Sequence, residues 1–459
     1  MEAEKRLAEY ASDTQFEDLS QEPVDTTKKV VLTIMGSIIA GATQEGCGAL
    51  IDQVKEWGGK KEATILIHGG QVPAYNAAFA NSNMARALDI CDGMPPGMHL
   101  GSSTVPTALA MAELTGGCSG KEFLASIVVG SEIAARINLS SNYDGFDPTG
   151  VCSIFATAVV AGRMLRMNSS QMLNALSLAF NRCGGSFQSN IDGTLAVRVI
   201  QGFVSQGGII CAQLARRGVT GPKNFLGGVY GYFHLYAKDR YDPEAVIGEL
   251  GKRFDSTKVV FKKYPSCAGT AASVDGILDL VMEKSITPED VTEIDIRVTP
   301  YVSKLVGHQF EIGDNPRVNA QFNIRYCVAS ALLRKSLKLH HFEESCIREP
   351  KIMELISKID ISADPALEIQ GGHKCAMRMD VKTIHGVIHQ KSVDAPRGFF
   401  ENPLTNQEHL KRFEDCVSYA GKPLHQENIK KIIAMVNGLE KVRDVRTLIP
   451  LLLSHESES

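Results

Sequence analysis

The stretch ALDICDGMPPGMHLGSS, residues 87–103, brings two carboxylates and an imidazole close together in sequence. Asp89 and Asp92 stand three apart at the end of an Ala-rich helical segment, and His99 follows a loop containing Pro95-Pro96. A carboxylate beside an imidazole makes a general acid/base pair able to move a proton at neutral pH. Helix C-termini carry partial negative charge and favour Lys or Arg, so two aspartates there oppose the dipole. The prolines restrict the loop and present His99 more firmly than an ordinary connection would. The same residues also fit a plain polar helix end, with Asp92-Gly93 as a turn and His99 on the surface. Residue types alone leave both readings open.

The elements that must position these residues follow from periodicity. Apolar positions at helical spacing mark residues 24–43, with Pro23 near the helix start. ATILIHGGQVP (63–73) reads as a short hairpin. Helical segments follow at 74–91, 103–115, 120–139, 150–166, 169–182 and 195–217, crowded with Gly, Ala and Ser that let helices approach closely. After about residue 256 the texture changes: a short strand in TKVVFKKYPSC, a helix after it, strand alternation at Ile294, Ile296 and Val298, a helix over 315–335, and two strands over 375–393. Amphipathic helices return at 405–417, 425–438 and 442–453. This predicts a mainly α protein: a large helical domain from residues 1–265 and 400–459, and a smaller α+β lid domain over 266–399. The SHESES tail is expected to fray.

Composition excludes several classes. At 459 residues, 44% hydrophobic, 22% charged and a net charge of -4, the chain reads as an ordinary globular protein with no attraction to nucleic acid or anionic lipid. The longest apolar stretch, VVLTIMGSIIAGA, is too short to span a membrane. The eleven cysteines form no Cys-x-x-Cys pair, and the first twenty residues carry no apolar leader, so reduced thiols in the cytoplasm are expected. Neither structural zinc nor an iron–sulfur cluster is indicated. No phosphate-binding glycine loop or G-x-S-x-G elbow is present. Nothing points to pyridoxal phosphate.

Several further stretches stand in a specific order: AYNAAFANSNMARALD (74–89), PTALAMAEL (106–114), GFDPTG (145–150), ALSLAFNRCGG (175–185), IQGFVSQGGIICAQLARRGVTGP (200–222), FKKYPSC (261–267) and AQFNIRYCVASALL (320–333). Together with ALDICDG and its histidine they resemble the MmgE/PrpD family over nearly the whole chain. The resemblance implies a homodimer, no metal or organic cofactor, and a small di- or tricarboxylate substrate. It implies proton transfer beside a carboxylate, with loss of water as the leading expectation and loss of carbon dioxide or epimerisation as alternatives. Carried over position by position, Asp89 and Asp92 match acidic site residues, His99 the loop histidine, Lys262 a cleft lysine and Tyr326 a tyrosine reaching in from the lid. Cys267 matches a frequent Cys or His, and Arg198 stands beside the position of an expected lysine, here Val197. Cys91, Gly93 and Asp147 depart from the family's Asp, Thr and His. Losing a His and a Lys makes the cleft less cationic, which implies a less anionic substrate, altered chemistry or a binding homologue without activity.

The residues themselves carry blander readings too. Asp147 suits a helix N-cap, Cys267 an ordinary buried thiol, Tyr326 a core tyrosine with one hydrogen bond, and Arg198 and Lys262 surface ion pairs. His99, Asp89, Asp92 and Tyr326 are expected to be catalytic residues. Arg198, Lys262, Asp147 and Cys267 are expected to contact substrate.

Overall fold

A computed structural model describes residues 2–141, 143, 145–240, 242–368 and 375–454. Residues 455–459, most of the tail expected to fray, lie outside them. The first half is helical: α1 (Glu2–Asp13), α2 (Gln21–Gly41), α3 (Cys47–Trp57), a two-residue hairpin of β1 (Ala63–Thr64) and β2 (Gln71–Val72), and α4 (Ala74–Arg86). The strand β3 (Asp92–Gly93) precedes α5 (Gly101–Leu114), α6 (Gly120–Leu139), α7 (Ile154–Met164), α8 (Ser169–Phe180), the short α9 (Gln188–Ile191) and α10 (Ala196–Arg216). Two short helices, α11 (Tyr232–Ala237) and α12 (Pro243–Ile247), lead to β4 (Val260–Phe261).

The second part alternates α13 (Ala271–Lys284), β5 (Val291–Val298), α14 (Pro300–Val306), α15 (Pro316–Gln321) and α16 (Ile324–Arg334). The helices α17 (Glu344–Ile347) and α18 (Pro350–Ile356) are followed by β6 (Ile359–Ala363), β7 (Met377–Thr383) and β8 (Ile388–Val393). The sheet order is β6-β5-β7-β8, with β5 and β6 parallel and the other pairs antiparallel. Alternating burial along β7 turns Met377, Met379 and Val381 toward Val274, Ile277 and Leu280 of α13, in one apolar cluster with Ile294 and Ile296. The chain closes with α19 (Asn406–Ser418) and α20 (Gln426–Asn437). Phe413, Ile432 and Leu448 from this last segment share a core with Ile34, Ile38 and Met84. The architecture is the mainly helical one with an α+β portion that periodicity predicts. Among the described residues no helix is long and apolar enough to cross a membrane.

Three helices differ from expectation for local reasons. The helix expected to reach residue 91 ends at Arg86, and Asp89 turns the chain with φ 51°, in the left-handed region. The helix expected over 315–335 breaks into α15 and α16, because the Asn323 side chain accepts from the Tyr326 N–H and starts a new helix. Residues 442–453 form short 3-10 turns, where Asp444 caps Arg446 and Pro450 can offer no N–H.

Small residues set the helix spacing. At Gly41, the end of α2, a Cβ would lie 2.0 Å from the Met84 carbonyl oxygen on α4. Backbone that close leaves no side chain to swing away, so any larger residue must push apart the helix that leads into the acidic turn. Gly41→Ala is expected to lower unfolding free energy by about 1–3 kcal/mol, read as a lower denaturant midpoint at unchanged slope.

Candidate active site

The turn after α4 is organised by charge. Asp89 is buried, and its Oδ1 accepts from both the Arg86 guanidinium and, at 2.5 Å, Lys262 Nζ. Arg86 comes from the last turn of α4, where a cation also suits the helix dipole. Lys262 follows β4, which pairs antiparallel with β3 in the register Asp92↔Phe261 and Gly93↔Val260. That two-residue ladder carries Lys262 across to the acidic turn. Buried Arg412 of α19 fixes the same junction: it donates to the carbonyls of Lys262 (2.5 Å) and Ile90 (2.9 Å) and to Thr33 Oγ1 (3.2 Å) on α2. Gln321 of α15 adds bonds to the Leu88 and Pro265 carbonyls at 2.7 and 3.1 Å.

Asp92 answers the helix-dipole puzzle in the opposite direction from the sequence reading. Its Oδ2 accepts from the Gly101 N–H at 2.7 Å, so the carboxylate serves the positive start of α5 rather than the end of α4. Its carboxyl is nonetheless raised by burial, which the N–H bonds oppose. The group of Asp92 that meets His99 is the backbone carbonyl, 2.5 Å from Nδ1. Backbone bonds from His99 N–H to Thr149 Oγ1 and from Ser153 Oγ to the His99 carbonyl clamp the residue further. Burial, followed by the positive charges of Arg86 and Lys262, holds the imidazole well below its ordinary 6.5. His99 is therefore neutral at pH 7. Nδ1 carries the proton toward the Asp92 carbonyl, and Nε2 keeps its lone pair with no hydrogen-bond partner among the described residues.

His99 opens onto a cavity of about 620 Å³. Arg86, Gly93, Asp147, Lys262, Cys267 and Tyr301 share its wall. Asp147 combines the two readings of the sequence: Oδ1 accepts from the Thr149 N–H at 2.8 Å, and the residue lines the cavity. Burial raises its carboxyl, with the Thr149 N–H and Arg86 pulling the other way. Burial pushes the Cys267 thiol up to about 11, so it stays protonated at neutral pH.

Of the residues expected here, His99, Lys262, Asp147 and Cys267 meet at the cavity, and Asp89 lies beneath it in the ion pairs. Arg198 and Tyr326 do not line it. Arg198 is buried elsewhere and donates to the Glu45 carbonyl at 2.9 Å. Tyr326 sits in the core between Phe310 and Phe342 and donates to the His341 carbonyl. Val197 belongs to the same apolar cluster. The tyrosine at the cavity is Tyr301, whose hydroxyl donates to the Pro96 carbonyl, beside the cis Pro95-Pro96 bond. Sequence reasoning missed Tyr301, Arg86 and Arg412. Only Arg86 left a trace, a cation three residues before Asp89 on a helix end.

Comparison with known proteins shows the family of the chain. Residues 5–244 match the MmgE/PrpD N-terminal domain and residues 264–437 the MmgE/PrpD C-terminal domain. The chain is 24% identical to cis-aconitate decarboxylase of Homo sapiens, covering 95% of this chain and 91% of that one. It is 21% identical to cis-aconitate decarboxylase of Aspergillus terreus, covering 97% and 95%. With 2-methylcitrate dehydratase of Cupriavidus necator it shares 22% identity over 77% and 76% of the two chains. The chain belongs to the MmgE/PrpD family.

Proposed function

We propose that the cavity is the active site of a lyase that removes a proton next to a carboxylate of a small hydroxy acid and expels the hydroxyl as water. The observation that carries this is a neutral imidazole, its Nε2 without a hydrogen-bond partner among the described residues, on the wall of a cavity that also holds paired cations. In this reading Nε2 takes the proton from the carbon alpha to the carboxylate. The electron pair left behind forms the carbon–carbon double bond as the C–O bond breaks. The raised Asp147 carboxyl gives its proton to the departing hydroxyl. Arg86 and Lys262 hold the carboxylate and offset the enolate-like charge that builds during the transfer. Asp89 and Asp92 act as positioning residues. Asp89 keeps the two cations in place, and Asp92 holds His99 through its carbonyl and the start of α5 through its carboxylate.

A second reading, loss of carbon dioxide, is favoured by the two relatives named cis-aconitate decarboxylase, each matched over nine-tenths or more of both chains. The two reactions need the same cations and the same proton-handling pair. A panel of hydroxy and unsaturated mono-, di- and tricarboxylates separates them. New double-bond absorbance in the ultraviolet supports elimination, and carbon dioxide release supports decarboxylation. Solvent deuterium entering the substrate without net loss supports epimerisation, and binding with no turnover at all supports a homologue that only binds.

Two variants test the base. His99→Gln keeps a polar side chain of similar reach but no basic nitrogen, and kcat is expected to fall by roughly 10²–10⁴-fold; unchanged turnover removes His99 from the chemistry. Cys91 has its Sγ 3.5 Å from His99 Nδ1, and burial raises its thiol to about 11, so it adds no charge there. Cys91→Asp places a carboxylate beside the ring and favours the imidazolium. The acid limb of kcat/KM is lost as pH falls through the His99 value, which in the native chain lies well below 6.5. In Cys91→Asp that limb is expected to move to higher pH. An unmoved limb means that another group sets it.

A further inference from the structure

The cavity is larger and more apolar than a small polyacid needs. Its volume of about 620 Å³ corresponds to roughly twenty waters at about 30 Å³ each. Its charge is limited. Arg86 and Lys262 share the single carboxylate Asp89, which leaves one positive charge beside His99. The third lining cation, Lys258, is paired with Asp255 at 2.8 Å. The carboxyls of Asp147 and Glu401 stand on the same wall. A citrate-like trianion would therefore bring three negative charges to a site able to offset one, and buried charges without partners are strongly disfavoured.

Most of the remaining wall is hydrocarbon. Phe187, Leu305, Phe322 and Phe399 line the interior. Leu139 and Phe400 also line it while 39% and 41% exposed, which places them where the cavity meets solvent. Gly93 adds room next to the imidazole. A Cβ there would meet nothing closer than 3.9 Å, and its backbone lies outside the left-handed region, so the bare position is space rather than a conformational requirement. A pocket that is mostly apolar with a few convergent polar groups at one end fits a ligand built the same way.

We propose that the substrate is an acid with one carboxylate at its reacting end and an alkyl or aryl substituent of several carbons. The carboxylate is held at Arg86 and Lys262, and the substituent runs along Phe187, Leu305 and Phe322 toward Phe400. The proposal rests on the lyase reading above. Its test uses straight-chain saturated acids from butanoate to decanoate, which have no hydroxyl to lose. Calorimetric affinity for the native protein and for His99→Gln is expected to rise roughly three- to fourfold per added methylene over the first several carbons. Citrate is expected to bind more weakly than octanoate. Phe400→Ser, at a half-exposed position, is expected to lose part of the gain for the longest acids and little for butanoate. A flat series, tighter binding of citrate, or a series untouched by Phe400→Ser overturns the proposal. The two readings fail separately. A rising series without turnover of any hydroxy acid keeps the ligand class and removes the lyase. Turnover of citrate-like acids with a flat series keeps the lyase and removes the ligand class.

Discussion

The site depends on one buried carboxylate that serves two cations. Isolated, Arg86, Lys262 and Asp89 would each be costly to bury; together they satisfy much of one another's charge, and the excess is a single positive charge facing the cavity. Everything nearby follows from holding that triad. The left-handed turn at Asp89 aims its carboxylate back toward Arg86, the β3–β4 ladder delivers Lys262, and Arg412 and Gln321 occupy the carbonyls that the irregular backbone leaves open. Burial keeps His99 neutral, and the same positive charge reinforces it, so the ion-paired cluster also bears on the state of the imidazole.

Much of this was legible in the sequence, and the boundary between what was and what was not is physical. Helix periodicity and the strand alternation at Ile294, Ile296 and Val298 reflect local burial, which each segment announces by itself. The 87–103 stretch stands out in the sequence because, read as a helix end, Asp89 and Asp92 oppose the dipole. Their partners could not, since nothing local says that Asp92 serves the helix after it. Arg412 is an ordinary cation on an amphipathic helix until Ile90 and Lys262 are folded against it. Tyr326 and Tyr301 are both aromatic residues near a helix start, and only the packing of the second apolar cluster decides which reaches the cavity.

The three positions where the resemblance implies a departure also acquire local meanings. Cys91 puts a neutral thiol where a carboxylate would have competed with the Asp92 carbonyl for the imidazole. Gly93 leaves a gap beside the same ring. Asp147 supplies a carboxyl that starts the turn at Thr149 and reaches the cavity at once. All three positions lie around His99 and the cavity, so they bear on how its proton is held and on what can lie next to it.

Arg412 has a consequence for how the molecule comes into being. It bonds a carbonyl 322 residues earlier and a hydroxyl 379 residues earlier in the chain. Contacts between such distant segments are slow to form, because loop-closure entropy must be overcome before they reward it. During synthesis the acidic turn, the imidazole loop and even the α+β portion can exist before the arginine that clasps them has left the ribosome. The proposed site is thus incomplete until α19 has been made, and a chain interrupted before α19 would carry all its proposed reacting groups without the clasp that holds them in register.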